Sequence, residues 1–171
     1  MKTFKVIKDS GNRREFETGA VRDIQEGKGR CDLLPLDVVS KWVESINDSS
    51  SLDNILHYIN LYKNSYPRDT MLIYRAMNEF CADVSWSISD ALLEVSIHYE
   101  EGAKKYGEYN WQKGIPSHCY LDSGIRHLLK YYRGDTDERH DRAFIWNMLG
   151  LAWNDLNKPE LNDVCEKAVR E

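Results

Sequence analysis

The spacing of apolar residues predicts α-helices over most of the chain. In six successive stretches, apolar side chains recur every three or four residues, which places them on one face of a helix. The stretches are residues 38–46, 52–62, 71–81, 92–99, 120–132 and 144–152. Turn residues such as Pro67 and Gly134 separate them, and a last helix is predicted after Pro159. We therefore expect an all-α fold, an antiparallel helix bundle with short connections.

The first 35 residues do not share this periodicity. Glycines and basic residues alternate there, and no helical apolar stripe survives. We expect a loop-rich basic arm over residues 1–35, with at most a short strand at residues 4–7. The full length of 171 residues fits one domain, in which residues 87–157 supply the site helices and residues 158–171 the last helix.

Composition narrows the class of protein. A hydrophobic content of 42% with 30% charged residues is ordinary for a soluble globular protein. A net charge of −5 argues against a nucleic-acid binder. No apolar run is long enough to span a membrane or to act as a signal peptide. The four cysteines lack a Cys-x-x-Cys spacing, which favours reduced thiols in a cytoplasmic protein.

Acidic residues concentrate on the fourth predicted helix. Glu94, His98 and Glu101 follow a spacing of four and then three residues, so they share one helix face, and Glu100 lies one step round. Carboxylates gathered on one face repel each other unless a cation neutralises them, and Mg²⁺ prefers such oxygen ligands. The alternative is a solvated acidic face paired with the lysines that follow.

The sixth predicted helix repeats this pattern near its start. Glu138-x-x-Asp141 predicts two carboxylates on adjacent turns, able to chelate one ion, and His140 and Asn147 share a face further along. Acids at a helix N-terminus are also favoured by the helix dipole alone.

The fifth predicted helix and the preceding loop add basic and aromatic residues. Asp122 and Arg126 are spaced as an ion pair, and His127 borders the apolar face, where a histidine is often only a packed core residue. Lys104 and Lys105 can neutralise phosphate charge, and Tyr106, Tyr109 or Trp111 can stack on a nucleobase.

A second phosphate clamp is predicted in the arm. The turn Gly27-Lys28-Gly29-Arg30 offers backbone amides and two cations, Lys28 and Arg30. The chain lacks the glycine-rich P-loop motif, so this is a different arrangement.

Several of these blocks resemble one family. Residues 16–35 look like the opening of the bacteriophage dATP/dGTP diphosphohydrolases, which themselves resemble the all-α MazG-like nucleotide pyrophosphohydrolases. The later blocks resemble the same family: Glu101-Gly-Ala-Lys-Lys-Tyr-Gly, Asn110-Trp111, Tyr120-Leu-Asp-Ser with Arg126-His127-Leu128, Gly134-Asp, Asp137-Glu, His140 and Trp146-Asn147. By this comparison, about residues 39–86 are inserted helices.

The resemblance implies Mg²⁺-dependent hydrolysis of purine deoxynucleoside triphosphates to monophosphate and pyrophosphate, with Mn²⁺ as a possible substitute ion. MazG-like enzymes carry a Glu-x-x-Glu pair and a later Glu-x-x-Asp pair. Glu138-x-x-Asp141 matches the second, whereas nothing matches the spacing of the first. The expected metal ligands are Glu94, His98, Glu100, Glu101, Glu138 and Asp141, of which Glu101, Glu138 and Asp141 are the catalytic set. The expected substrate-binding residues are Lys28, Arg30, Lys104, Lys105, Asn110, Trp111, Asp122, His127, His140 and Asn147. The resemblance also implies a homo-oligomer, a dimer or tetramer.

Two alternatives stay open. His140-Asp141 also fits an HD-type phosphohydrolase, in which His98 or His127 and Asp155 or Asp163 would complete a site for Mn²⁺, Fe or Co²⁺. The missing Glu-x-x-Glu pair fits a nucleotide-binding module without catalysis.

Overall fold

The computed structural model describes residues 11–24, Leu34 and residues 51–164. Within these ranges there are five α-helices, one two-stranded sheet and two 3-10 turns. The elements are β1 (Arg13–Glu15), β2 (Val21–Asp23), α1 (Ser51–Asn64), α2 (Thr70–Asp83), α3 (Ile88–Tyr106), a 3-10 turn (Asn110–Lys113), α4 (Ser117–Arg133), α5 (His140–Asn157) and a second 3-10 turn (Pro159–Leu161). The all-α prediction is confirmed. The helix predicted at 38–46, the strand predicted at 4–7, Lys28 and Arg30 lie outside the described residues.

Local signals set the start of α3. The side chain of Ser87 accepts a hydrogen bond from the backbone amide of Asp90, and the Asp90 carboxylate accepts one from the backbone amide of Ser87. This reciprocal capping box satisfies two amides that the first turn leaves open. The sequence predicts Ser89 or Asp90 as the cap, so the helix begins slightly earlier than expected.

The connection between α4 and α5 is longer than the sequence predicts. Gly134 ends α4 in the left-handed conformation, with φ of 81°. A cap for α5 is expected at Asp135 or Thr136, but α5 begins only at His140. Glu138 therefore lies in a loop, and the prediction that Glu138 and Asp141 lie on adjacent turns of one helix is wrong.

The helices α4 and α5 form a closely packed antiparallel pair. The Tyr120 ring lies over Gly150, and Met148 lies beside Gly124. A Cβ atom at Gly150 would come within 2.3 Å of the Tyr120 ring, so the glycine is what permits this approach. The pairing runs along both helices and brings His127 of α4 next to His140, the first residue of α5.

The remaining helices pack around α5. Phe80 of α2 lies against Phe144, with ring centroids 4.8 Å apart. At the other end of α5, the Asp155 carboxylate accepts hydrogen bonds from Tyr62 of α1 and Thr70 of α2. The helix α3 also contacts α5. The core is apolar and includes Ile55, Ile59, Ile73, Phe80, Leu121, Ile125, Leu128, Phe144, Met148 and Leu151.

The described part of the arm differs from the loop-rich prediction. Strands β1 and β2 pair antiparallel, with Arg14 opposite Arg22. Each strand has three residues, too few to show an alternating pattern in the sequence. After Pro159 there is one 3-10 turn, residues 162–164 are not helical, and the rest of the predicted last helix lies outside the described residues. None of the described helices is both long and apolar enough to cross a membrane.

Candidate functional site

Asn110 attaches the hairpin to the helix bundle. Its side-chain amide donates to the carbonyl oxygen of Val21 at 2.9 Å and accepts from the amide of Val21 at 3.0 Å. This is the pair of bonds that a neighbouring strand residue would make. Asn110, predicted to bind substrate, is thus engaged with the backbone of β2, and it holds the next residue, Arg22, against the bundle.

Arg22 reaches between α4 and α5. One guanidinium nitrogen, Nη2, donates to Oδ1 of Asn147 at 2.7 Å, and the guanidinium lies 5.4 Å from the Tyr120 ring and 5.8 Å from the Trp146 ring. Burial lowers the pKa of Arg22, although arginine remains charged at any ordinary pH. Among the described residues, Arg22 Nη1 and the Tyr120 hydroxyl are buried without a hydrogen-bond partner. Unpaired buried donors are costly, and they mark places where a ligand or water is accommodated.

Asn147 has both halves of its amide engaged. Its oxygen accepts from Arg22, and its nitrogen donates to the carbonyl of Ala143 at 2.8 Å. The residue is 1% exposed. Asn147, predicted to contact the base, therefore orients Arg22 instead of presenting free polar atoms.

An aromatic cluster lies beside Arg22. Trp146 packs against the rings of His98 and Tyr99, and Trp111 packs edge-on against Tyr99 at 5.6 Å and against Trp153 at 5.1 Å. Burial lowers the pKa of His98 to about 4, so its imidazole is neutral at physiological pH. His98 thus packs in this cluster, where a neutral ring is favoured.

A cavity of about 450 Å³ opens next to the loop between α4 and α5. Its volume is in the range of small-molecule sites. Its lining is polar and mostly charged: Glu101, Tyr131, Asp135, Thr136, Glu138, Arg139, His140, Asp141 and Arg142. One wall comes from α3, and the rest comes from the end of α4, the loop and the first turn of α5.

Ion pairs cross the mouth of this cavity. Arg139 lies 3.1 Å from Glu94 and 2.8 Å from Asp141, and Arg142 lies 3.1 Å from Glu101. Burial opposes ionisation of Asp141, but hydrogen bonds from Arg139 and from the backbone amide of Arg142 outweigh it and lower the pKa of this carboxyl. Four of the predicted acids, Glu94, Glu101, Glu138 and Asp141, are therefore gathered around one cavity and its arginines.

Two histidines meet at the inner edge of the cavity. The Nδ1 atoms of His127 and His140 are 3.1 Å apart, and Oε1 of Glu138 lies 3.6 Å from the first and 3.7 Å from the second. On its other side, His140 Nε2 lies 2.9 Å from the carboxylate of Asp137, whose second oxygen accepts from Lys130. Donor atoms from His127, Glu138 and His140 can hold a metal ion, as can those from Asp135, Asp137 and His140.

Other predicted site residues lie elsewhere. Glu100 is exposed and pairs with Lys104 along the outer face of α3. Lys105 is also exposed. Asp122 is buried and pairs with Arg126, as its spacing predicts. The structure brings none of these to the lining of the cavity.

The carboxylates proposed to complete an HD-type site are engaged at a distance from it. Asp155 accepts from Tyr62, Thr70 and Asn162, and it lies fourteen residues beyond Asp141 on α5, about 21 Å along the helix. Asp163 accepts a hydrogen bond from the backbone amide of His118, and its side chain pairs with that imidazole. Neither reaches the cavity that His140 and Asp141 line.

The basic residues at the site were not predicted. Arg139 and Arg142 stand among acids in and before the first turn of α5, which reads as an ordinary solvated surface. Arg22 lies in a segment without periodicity. Arg139 and Arg142 lie opposite the acidic face of α3. That relation identifies them as site residues only once the packing of α3 against α5 is known.

Comparison with known proteins agrees with this picture. A family model described as "dATP/dGTP diphosphohydrolase, N-terminal" matches residues 75–164, more than half of the 171-residue chain. The match includes α3, α4 and α5, which supply the cavity lining. No curated protein and no solved structure gives a significant match. The chain belongs to the dATP/dGTP diphosphohydrolase N-terminal family.

Proposed function

We propose that this protein hydrolyses purine deoxynucleoside triphosphates, dATP and dGTP, to the monophosphate and pyrophosphate with the help of Mg²⁺. The observation that carries the proposal is the charged cavity, in which carboxylates from α3 and α5 face two arginines. The family name supplies the substrate and reaction class.

The donors around the cavity suit a hard divalent cation. The carboxylates of Glu101, Glu138 and Asp141 line the cavity. Glu94 is not part of the lining but forms an ion pair with Arg139, which is. Mg²⁺ takes carboxylate oxygens and shares the remaining positions with water and substrate phosphates. When bound, the ion supplies charge neutralisation at the phosphates and makes a nearby water more acidic.

The residues of the chain have separate parts in this proposal. Arg139 and Arg142 bind phosphate oxygens, two of which can accept hydrogen bonds from one guanidinium as the two oxygens of a carboxylate can. The lowered pKa of Asp141 keeps its carboxyl ionised, and together with Glu138 it would hold the cation. Glu101 accepts the proton of a water that attacks the α-phosphorus. The bond from that phosphorus to the bridging oxygen of the β-phosphate breaks, and pyrophosphate leaves.

Recognition of the base is proposed at the aromatic cluster. Trp111 and Trp146 provide aromatic surface against which a purine can stack. Arg22 and Tyr120 each keep a buried donor without a partner among the described residues. A purine N7 is an acceptor that adenine and guanine share and pyrimidines lack, so a donor there favours both purines.

The first experiment is a panel of deoxynucleoside triphosphates with Mg²⁺ and an assay of pyrophosphate release. We expect release from dATP and dGTP, with much slower release from dCTP and dTTP. No turnover of any nucleotide at micromolar enzyme would end the proposal and would leave a binding module without catalysis.

Two neighbouring acids give a matched test of the site. Glu101 faces Arg142 at the cavity, while Glu100 points to solvent and pairs with Lys104. We expect Glu101→Gln to reduce kcat at least 100-fold, in the range of lost acid–base catalysis, and Glu100→Gln to stay within about twofold of the wild type. Glu138→Gln and Asp141→Asn should also remove activity. Equal rates for Glu100→Gln and Glu101→Gln would contradict the assignment.

We also propose that the protein self-associates through the outer face of α3. Ile88, Leu92, Leu93 and Ile97 are large apolar residues with exposures of 69%, 55%, 68% and 41%. Such a patch favours contact with a second copy. Sedimentation velocity should show an oligomer that Leu93→Glu dissociates. A monomeric wild type would contradict this.

A further inference from the structure

The atoms His127 Nδ1, His140 Nδ1 and Glu138 Oε1 form a compact triangle. Its sides are 3.1, 3.6 and 3.7 Å. The circle through three points with these separations has a radius of about 2.0 Å, so the point at its centre, in the plane of the three atoms, lies about 2.0 Å from each of them. Zn²⁺ binds imidazole nitrogen and carboxylate oxygen at about 2.0 to 2.2 Å. The triangle thus has the size of three ligands around one small ion.

The types of ligand select a class of ion. Imidazole nitrogen suits Mn²⁺, Fe²⁺, Co²⁺ and Zn²⁺, whereas Mg²⁺ prefers oxygen alone. Two nitrogens and one carboxylate also leave at least one coordination position open, as in catalytic zinc sites. Glu138 and His140 both line the cavity, so a ligand in the cavity would be next to an ion held by the triangle.

The surroundings of His140 support this use. Its Nε2 lies 2.9 Å from Oδ1 of Asp137, and Lys130 donates to the other oxygen of that carboxylate. A carboxylate that accepts the N–H of one ring nitrogen leaves the other nitrogen with its lone pair, which is how metal-binding histidines are commonly oriented. His140 is 2% exposed, so this orientation is maintained by packing as well.

We propose that His127, His140 and Glu138 bind one first-row transition-metal ion, such as Mn²⁺, Co²⁺ or Zn²⁺, separate from the Mg²⁺ of the proposed reaction. The site shares Glu138 with the proposed Mg²⁺ site. Binding of the transition-metal ion does not depend on the proposed function; only a role of that ion in the reaction does. The competing explanation is a single hydrogen bond between the two imidazoles, with no ion.

The test uses Co²⁺ as the probe on the full-length, tag-free protein after removal of metals with a chelator. Tetrahedral Co²⁺ gives visible absorption bands, and calorimetric titration gives the stoichiometry. We expect one Co²⁺ per chain, retained in millimolar Mg²⁺. His127→Gln and Glu138→Gln should each weaken binding at least 100-fold, and Asp137→Asn should weaken it about 10- to 100-fold through the orientation of His140.

His118→Gln is the matched control. His118 also pairs with an aspartate, Asp163, and lies beside Cys119, but it does not belong to the triangle. This variant should bind Co²⁺ as the wild type does. Because His140 is buried and its replacement risks misfolding, the half-exposed Glu138 provides the variant for which folding is least at risk.

The outcomes separate the two proposals. Failure of the wild type to bind Co²⁺, displacement of Co²⁺ by Mg²⁺, or unchanged binding in His127→Gln would each overturn the transition-metal site. Co²⁺ binding without nucleotide hydrolysis would retain the site and reject the proposed reaction. Hydrolysis with Mg²⁺ but no Co²⁺ binding would retain the proposed reaction and reject the transition-metal site.

Discussion

Replacing Gly150 by alanine should destabilise the protein, because this glycine sets the distance between α4 and α5. An added Cβ would lie 2.3, 2.6 and 2.7 Å from three atoms of the Tyr120 ring, well inside normal contact. The ring is fully buried and packs against Trp146 with centroids 5.6 Å apart, so it has little room to move. Overpacking of this kind costs about 1 to 3 kcal/mol. Alanine recovers about 0.5 to 1 kcal/mol of helix propensity, so the net loss lies between about 0 and 2.5 kcal/mol.

Two other glycines provide controls for this calculation. Among the described residues, no atom lies within 4 Å of a Cβ added at Gly102 in α3, so Gly102→Ala should gain the full propensity term of about 0.5 to 1 kcal/mol. At Gly124 the added Cβ meets the terminal methyl of Met148 at 2.4 Å, and that flexible end can shift. Gly124→Ala should therefore fall between the other two.

Urea denaturation followed by far-ultraviolet circular dichroism measures all three variants. The expected order of unfolding free energy is Gly102→Ala above wild type, then Gly124→Ala, then Gly150→Ala, at constant m value. If Gly150→Ala is as stable as Gly102→Ala, the rigid contact between α4 and α5 does not exist as described. The same result would weaken the placement of His127 beside His140, which depends on this helix pair.

Three further predictions concern polar contacts. The hydrogen bond with Asp163 raises the pKa of His118 to about 10, so its contribution to stability is complete below about pH 6.5 and is lost as the pH rises through 10. His118→Gln should lower the free energy of unfolding by about 1 kcal/mol at pH 6, a figure reduced because the pair is partly exposed. In urea titrations, the free energy of unfolding of this variant should fall less between pH 6 and pH 10 than that of the wild type. Asn147→Leu leaves the buried guanidinium of Arg22 without its acceptor and should lower the free energy of unfolding by about 2 to 3 kcal/mol in urea titration. Adding Arg22→Met should restore part of that loss, and strictly additive losses in the double variant would contradict the contact. Asp155→Ala removes the acceptor of the buried Tyr62 hydroxyl and should lower the free energy of unfolding by about 2 kcal/mol, with Co²⁺ binding unchanged. Loss of Co²⁺ binding in this variant would instead support an HD-type site.

Helices were predictable from the sequence because a repeating signal marks each of them. The apolar stripes at 52–62, 71–81, 92–99, 120–132 and 144–152 each fall within an observed helix. Helix starts were less predictable. Several polar residues compete for each cap, and the backbone geometry that selects Ser87 over Ser89 is not contained in residue type alone.

The site was predictable only in part. The positions of the acids around α3 follow from helical spacing. Once the buried face is known, the same spacing places Glu101 at the cavity and Glu100 on the solvent-exposed side. The positions of Arg139 and Arg142 follow from the packing of α3 against α5, a long-range contact. The position of Arg22 depends on two hydrogen bonds between Asn110 and Val21 of the hairpin, which are eighty-nine residues apart in the chain. No local pattern encodes such contacts.

The ion pairs at the cavity have a consequence for the proposed reaction. In the protein alone, Arg139 and Arg142 neutralise the carboxylates that would otherwise repel each other. A triphosphate that takes these arginines leaves the carboxylates without their cations, and a divalent ion then becomes their natural partner. An ion that takes the carboxylates likewise releases the arginines for phosphate. Under the proposed function, each ligand would remove the competitor of the other, so we expect metal and nucleotide to bind with positive coupling, equal in both directions. The ion pairs of the cavity would thus favour the metal–nucleotide complex of the proposed reaction over either component alone.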